Sequence, residues 1–231
     1  MAIEAILWDV DGTLLDFLAA EEAAIQACFA HFGLGRCAPE QLERYSALNR
    51  RYWQRLERGE LTKQQVLEGR FRAFFSQEGI DPELAVPFNE LYQQRLGDTV
   101  CFLDQSDQLV RRLRGRVRQY AATNGTRAAQ ERKLRRSGLD QLLDGVFISE
   151  LVGAEKPSPI FFQRVLDAIG PVEPGRVLMV GDSLTSDMAG GAAAGLRCCW
   201  YNPGGLPVPE GVRLDRVISN LNQVEDLLDQ G

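Results

Sequence analysis

Asp9 and Asp11 stand two residues apart at the end of an apolar run, Ile3 to Trp8, in the string Asp9-Val10-Asp11-Gly12-Thr13. Two carboxylates so close in an otherwise apolar neighbourhood repel, and a hard divalent cation offsets that repulsion well. With a metal and a lysine nearby, Asp9 stays ionised and can attack phosphorus, as carboxylates that become aspartyl phosphates do. Asp11 could reach the leaving oxygen as general acid, then take a proton from water when the acyl phosphate is hydrolysed. Gly12 lets the chain turn sharply. Taken alone, the same string also describes a solvated strand end followed by a glycine turn.

Three further groups complement this pair. Thr123-Asn124-Gly125-Thr126 follows an apolar stretch and opens a helical one. Backbone N–H groups at a helix start, beside a hydroxyl and an amide, make an anion cradle, or a plain helix cap with a glycine turn. Lys156 precedes Pro157, which keeps it out of helical geometry and fixes where its side chain starts. A held ammonium there neutralises phosphate and nucleophile as a point charge; otherwise it is a surface lysine. Gly181-Asp182-Ser183 follows the buried run Val177 to Val180, with Asp187 one turn on. Asp182 suits direct coordination of magnesium, which takes one or two carboxylates plus waters. Asp187 is open to three readings: a ligand, a residue behind the ligands, or a helix N-terminal charge; the second is preferred.

These residues need a frame that brings them to one rim. Ile3 to Trp8 reads as a buried strand. From about 17 to 95 the chain is rich in Ala, Glu, Gln, Leu and Arg, with apolar residues at helical spacing, as in Ile25, Cys28, Phe29 and Phe32. Punctuated by Gly33, Gly59, Gly79, Pro82 and Pro87, it reads as about four helices and no strand. Strand and helix then alternate. Strands are expected over 117–122, 146–148, 177–180 and 197–201. Helices are expected over 104–113, 127–137, 158–169 and 186–194, with a last one capped by Asn220 and running through Leu228. Alternation of this kind gives an α/β fold, a parallel sheet covered on both faces. In such a sheet ligands bind beyond the carboxyl ends of the strands. Asp9, Asp11, Thr123, Asn124, Lys156, Asp182 and Asp187 all follow predicted strands. The expected division is a core of 1–16 with 96–231 and an all-helical insertion over 17–95.

Composition excludes several classes. The 231 residues are 45% hydrophobic and 25% charged, ordinary for a globular chain. A net charge of -6 argues against a nucleic-acid polymer as a partner, while leaving room for a small phosphate ester at a local cationic site. Cys28, Cys37, Cys101, Cys198 and Cys199 are odd in number and lack zinc spacing, so reduced, partly buried thiols are expected. No stretch approaches about 18 uninterrupted apolar residues, so no membrane span is expected. The N-terminal run carries Asp9 and Asp11 and lacks a basic leader. A cytoplasmic location is the expectation.

Asp9-Val-Asp-Gly-Thr, Thr123-Asn124-Gly125, Lys156-Pro157 and Gly181-Asp182-Ser183 with Asp187 resemble the four motifs of the haloacid dehalogenase superfamily. The resemblance runs over essentially the whole chain, and the helical insertion is similar to that superfamily's first type of cap domain. It implies a Rossmann-like core and an aspartyl-phosphate mechanism, with Asp9 as nucleophile and Asp11 as acid/base. Magnesium would sit on Asp9, the Asp11 carbonyl and Asp182, and phosphate on Thr123, Asn124 and Lys156. True dehalogenases of the superfamily need no metal and typically lack the second aspartate, which Asp11 supplies here. A phosphatase is therefore expected, with a sugar-phosphate or phosphoglycolate phosphatase, a phosphomutase and a 2-haloacid dehalogenase as alternatives. From another class, an idle binding module on this fold has no need of Asp9 and Asp11 together. Phosphonate hydrolases of the superfamily use a cap lysine; Lys63, the only lysine of the insertion, reads as surface.

A narrower likeness lies in the insertion. Ala47 to Trp53, Gly59-Glu-Leu-Thr62 and Gly69-Arg-Phe71 resemble the cap of bacterial noncanonical pyrimidine nucleotidases, as do Ile148 to Lys156 and Cys199-Trp-Tyr-Asn202 outside it. This implies a 5'-nucleotidase acting on pyrimidine nucleoside monophosphates. Some of those relatives carry Glu where Gly12 stands. Asn49, Arg50, Trp53 and Arg70 are the insertion's candidates for touching base or ribose; equally, Trp53 and Phe71 could be packing and the arginines surface. His31, the one histidine, falls in the insertion and is assigned no catalytic role.

Overall fold

The structure is a computed structural model that describes residues 2–229. Six parallel strands form one sheet: β1 (Ala5–Trp8), β2 (Arg118–Thr123), β3 (Gly145–Ile148), β4 (Val177–Gly181), β5 (Arg197–Tyr201) and β6 (Arg216–Ile218). Their spatial order is β3-β2-β1-β4-β5-β6. Alternate residues of the central strands feed opposite layers. Ile6, Trp8, Leu178, Val180, Cys199 and Tyr201 pack on one face. Ala5, Leu7, Val177, Met179, Cys198 and Trp200 pack on the other. A strand buried on both faces needs an unbroken apolar run, which is why these segments show no polar alternation. The chain steps outward from β1 to β3, then returns to β4 on the other side of β1. The crevice beyond the carboxyl ends of β1 and β4 is thus the topological switch point, where ligands bind in open α/β sheets. The expected α/β fold with a Rossmann-like parallel sheet is the one observed.

Two compact units are present, one containing the sheet and the other spanning Leu18–Thr99. The sequence placed the edges of the inserted unit at 17 and 95. Four α-helices make up the insertion: α1 (Phe17–His31), α2 (Pro39–Glu57), α3 (Lys63–Glu78) and α4 (Ala85–Leu96), the last preceded by a 3-10 turn at Pro82–Leu84. Thr62 and Gln65 form a capping box at the start of α3, and Gly79 closes that helix with φ 68. Phe29, Tyr45, Phe71, Phe74, Phe88 and Tyr92 fill the interior. Arg70, over the Phe71 and Tyr92 rings, belongs to a buried polar chain. Ser46 Oγ and Asn49 Nδ2 donate to the Glu21 carboxylate, the latter at 2.8 Å. Arg70 donates to Asn49 Oδ1 at 2.8 Å and to Asn89 Oδ1 at 3.0 Å.

In the sheet unit the helices are α5 (Ser106–Leu113), α6 (Arg127–Ser137), α7 (Leu139–Leu142), α8 (Ser149–Val152), α9 (Pro159–Ile169), α10 (Ala189–Ala193) and α11 (Val224–Asp229). Three expectations shift. The helix expected from Asp104 begins at Ser106, because Asp104 (φ 49) and Gln105 (φ 57) are left-handed. That conformation costs about 1–2 kcal/mol per residue. Long-range bonds oppose the cost: the Asp104 carboxylate accepts from Tyr201 Oη and from the Leu221 N–H, both at 2.9 Å. The helix expected from Ser186 starts as a π-helical turn, Leu184–Met188, before α10. Strand β6 was not expected; it has three residues, two of them exposed, and lies at the sheet edge.

All five cysteines are free thiols. Burial pushes those of Cys28, Cys198 and Cys199 up to about 12, so they are protonated and inert at neutral pH. No helix of the described residues is long and apolar enough to cross a membrane.

Candidate active site

Asp9 is the first residue beyond β1, and its N–H donates to Val180 O of neighbouring β4 at 2.9 Å. The backbone is thereby fixed at the switch point before any side chain contributes. Lys156 Nζ donates to Asp9 Oδ1 at 2.8 Å and Thr13 Oγ1 to Asp9 Oδ2 at 3.1 Å. Thr13 then accepts from the Asp182 N–H at 3.1 Å, coupling the loops after β1 and β4. Burial pushes the Asp9 carboxyl above its usual range, Lys156 pulls it back, and Asp187 and Asp11 push it up again.

Lys156 is buried to 1% exposure, and its three protons are all engaged: Asp9 Oδ1, Ala122 O at 2.7 Å and Asp187 Oδ1 at 2.6 Å. Burial alone would pull this ammonium down, but Asp187 and Asp9 outweigh it and hold it above its ordinary value. The sequence expected Lys156 to grip phosphate. In this geometry its protons go to protein acceptors, and its charge bears on Asp9 and Asp187.

Asp182 is anchored through its backbone, its carbonyl accepting from Trp200 Nε1 at 2.9 Å. Its side chain stands exposed at the rim. Protein packed around it strips part of its water despite that exposed edge, and this first, then repulsion from Asp9 and Asp187, raises its pKa above the usual range. Asp187 differs: it is buried, with Oδ1 on Lys156 and Oδ2 accepting from the Ser183 N–H at 3.2 Å. The π-turn aims it there, since both Asp187 and Met188 N–H groups bond Ser183 O. Both oxygens of Asp187 are thus engaged by the protein.

Asp9, Asp182 and Asp187 bring carboxylate oxygens within 4.8 Å of one another. Four carboxylates, counting Asp11, face the ammoniums of Lys156 and Lys133. An excess of negative charge in a partly dehydrated oxygen cluster fits a hard divalent cation. Gly12 shapes this space. Its φ is +91, and a Cβ there would lie 2.7 Å from Asp182 Oδ2.

The Asp11 carboxylate is held by two residues that the sequence reading missed. Gln130 Nε2 donates to Oδ2 at 2.6 Å, and Lys133 Nζ donates to Oδ1. Gln130 and Lys133 lie three apart on α6, hence on one face. The available signal was their place in the buried stripe Ala129, Gln130, Lys133 and Leu134, where two polar residues interrupt an apolar pattern.

Thr123 Oγ1 accepts from the Gly125 N–H at 3.1 Å and, as a hydroxyl, keeps a proton to donate. The Asn124 side chain is turned elsewhere: Nδ2 donates to Lys156 O and Oδ1 accepts from Lys156 N–H, both at 2.8 Å. The Asn124 side chain thus clamps Lys156. Within the helical unit, Asn49 and Arg70 are each 2% exposed and bonded to one another, so neither presents a free surface to a base. Arg50 is exposed and Trp53 half-buried.

The sequence model for haloacid dehalogenase-like hydrolases matches residues 3–195. Pyrimidine 5'-nucleotidase YjjG of Escherichia coli is 32% identical, with 96% of each chain covered. Pyrimidine 5'-nucleotidase PynA of Streptococcus pneumoniae is 35% identical over 88% of this chain and 85% of its own. The crystal structure of YfnB from Bacillus subtilis bound to magnesium superposes with a TM-score of 0.93 at 30% identity, covering 99% of this chain and 100% of that one. With a buried aspartate at the switch point of its sheet and these matches across most of its length, the chain belongs to the haloacid dehalogenase-like hydrolases.

Proposed function

We propose that this hydrolase is a magnesium-dependent phosphatase working through an aspartyl phosphate on Asp9, and that its substrates are pyrimidine nucleoside 5'-monophosphates. The observation that carries the mechanism is the setting of Asp9. One oxygen faces a buried ammonium, the other a buried hydroxyl, and the Asp182 and Asp187 carboxylates lie alongside. The names of YjjG and PynA support the substrate class.

Asp9, Asp182 and the Asp11 carbonyl would hold magnesium, which supplies positive charge to the phosphoryl oxygens. Lys156 favours the ionised form of Asp9 against its burial as the ester approaches. An Asp9 oxygen bonds to phosphorus as the bond to the leaving oxygen breaks, and Asp11 gives that oxygen its proton. Water then attacks the same phosphorus, Asp11 takes the water's proton, and the Asp9–phosphorus bond opens to release phosphate. Thr123 and the N–H groups that follow it would receive the phosphoryl oxygens.

The test is phosphate release with magnesium from deoxyuridine, thymidine and adenosine 5'-monophosphates, sugar phosphates and phosphoglycolate. Preference for the pyrimidine nucleotides is expected, with loss of release on chelation and in Asp9→Asn. Preference for sugar phosphates or phosphoglycolate would overturn the substrate class. Release that persists in Asp9→Asn would overturn the mechanism.

A further inference from the structure

Gln130 and Lys133 are costly residues to bury. Gln130 is fully buried, and its Oε1 has no hydrogen-bond partner. Lys133 is 1% exposed, with the Asp11 carboxylate as its ion-pair partner. An orphaned acceptor and a desolvated ammonium weaken a fold rather than stabilise it. Both side chains nevertheless converge on a single carboxylate, one on each oxygen. The loop beside them is shaped to the arrangement: a Cβ on Gly125 would fall 2.1 Å from Gln130 Nε2. One face of α6 therefore links the loop after β2 to the Asp11 side chain.

We propose that Lys133 and Gln130 are positioning residues that fix the Asp11 carboxyl group for proton transfer to and from the phosphorylated centre. This rests on the reading of Asp11 as the acid/base group. A carboxyl group on a short loop rotates about two side-chain bonds, and only part of that range serves the leaving oxygen. Two donors on a rigid helix, one per oxygen, restrict it to one plane. General acid help is worth about 10²–10⁴-fold and depends on such geometry. A loosened Asp11 forfeits part of that factor while Asp9 and its partners remain in place.

Leaving-group dependence separates this role from a merely structural one. A ribose oxygen is strongly basic and must be protonated as it leaves, whereas p-nitrophenolate leaves unaided. The measurement is the single-turnover rate of alcohol or phenol release, with magnesium, for the best nucleoside monophosphate and for p-nitrophenyl phosphate. The variants are Lys133→Met, Lys133→Arg, Gln130→Leu and Asp11→Asn, each first shown to melt cooperatively. Lys133→Met and Gln130→Leu are expected to slow the nucleotide by about tenfold or more and the aryl ester by less than about threefold. Lys133→Arg is expected to recover most of the loss. Asp11→Asn is expected to show the same selectivity more strongly. Should Asp11→Asn be selective while Lys133→Met and Gln130→Leu slow both esters alike, or neither, the positioning role is overturned and the acid/base reading stands. Should Asp11→Asn itself show no selectivity, the acid/base reading falls and the positioning role with it. Gln130→Leu carries the test alone if Lys133→Met does not fold.

Discussion

Asn124 holds Lys156 by its backbone, accepting the lysine N–H and donating to the lysine carbonyl, each at 2.8 Å. The two residues lie beyond different strands, so the amide acts as a staple between the loops after β2 and β3. What it fixes is the start of the ammonium that meets Asp9. In this geometry the side chain holds the counter-ion of Asp9.

Asn124→Ala is therefore expected to lower kcat by about 10²-fold with little change in KM, the usual cost of displacing a catalytic group by about 1 Å. Steady-state kinetics on a phosphate monoester checks this. A variant whose KM rises while kcat holds would return Asn124 to substrate binding.

Gly12 sets the room around Asp182. Alanine there is strained by the φ of +91, and its Cβ would meet Asp182 Oδ2 at 2.7 Å. The carboxylate must shift or turn. Disturbing the residues that orient a ligand typically weakens metal affinity by about 10–100-fold. Gly12→Ala is thus expected to need about ten times more magnesium for half-maximal activity, read from a magnesium titration at fixed substrate. An unchanged titration midpoint would show that Asp182 does not need this space.

How much of this was legible in the sequence depended on locality. Arg127–Ser137, Pro159–Ile169 and Arg197–Tyr201 carry their own boundaries in caps, proline and apolar runs, and the helices and strand fall where expected. Asp9, Asp182 and Asp187 could be gathered because a parallel sheet brings its carboxyl-end loops to one rim. Partnership was not legible. That Lys156 spends all its protons on protein, or that Gln130 and Lys133 turn inward onto Asp11, depends on packing between residues 31 to 147 positions apart. The left-handed Asp104 and Gln105 were hidden for the same reason, since Tyr201 and Leu221 hold that turn.

Lys156 faces two buried carboxylates, Asp9 and Asp187, and so bears on the stability of the fold. Lys156→Met leaves Asp9 and Asp187 without their counter-charge. Breaking such a buried pair costs about 3–5 kcal/mol. Adding Asp187→Asn removes one stranded charge, and the double variant is expected to recover part of that stability with no recovery of activity. Urea unfolding of the two variants decides the matter. A single variant within about 1 kcal/mol of the parent would show that the charges are already screened.

Glu21, inside the helical unit, links pH to stability. Burial raises its pKa above the ordinary 4.5, against hydrogen bonds from Ser46 and Asn49 and the charge of Arg70. The folded state thus binds this proton more tightly than the unfolded chain does. Its contribution is fully present below about pH 4.5 and is lost as pH rises through the folded value. Glu21→Gln fixes a neutral side chain of the same shape. Relative to the parent, the variant is expected to gain stability as pH rises from about 4.5 to 7. The gain is about 1.4 kcal/mol for each tenfold tighter hold on the proton. Urea midpoints for both proteins across that range read the difference directly. If the difference is flat or falls with pH, Arg70 compensates Glu21 fully and the carboxylate is native in its ionised form.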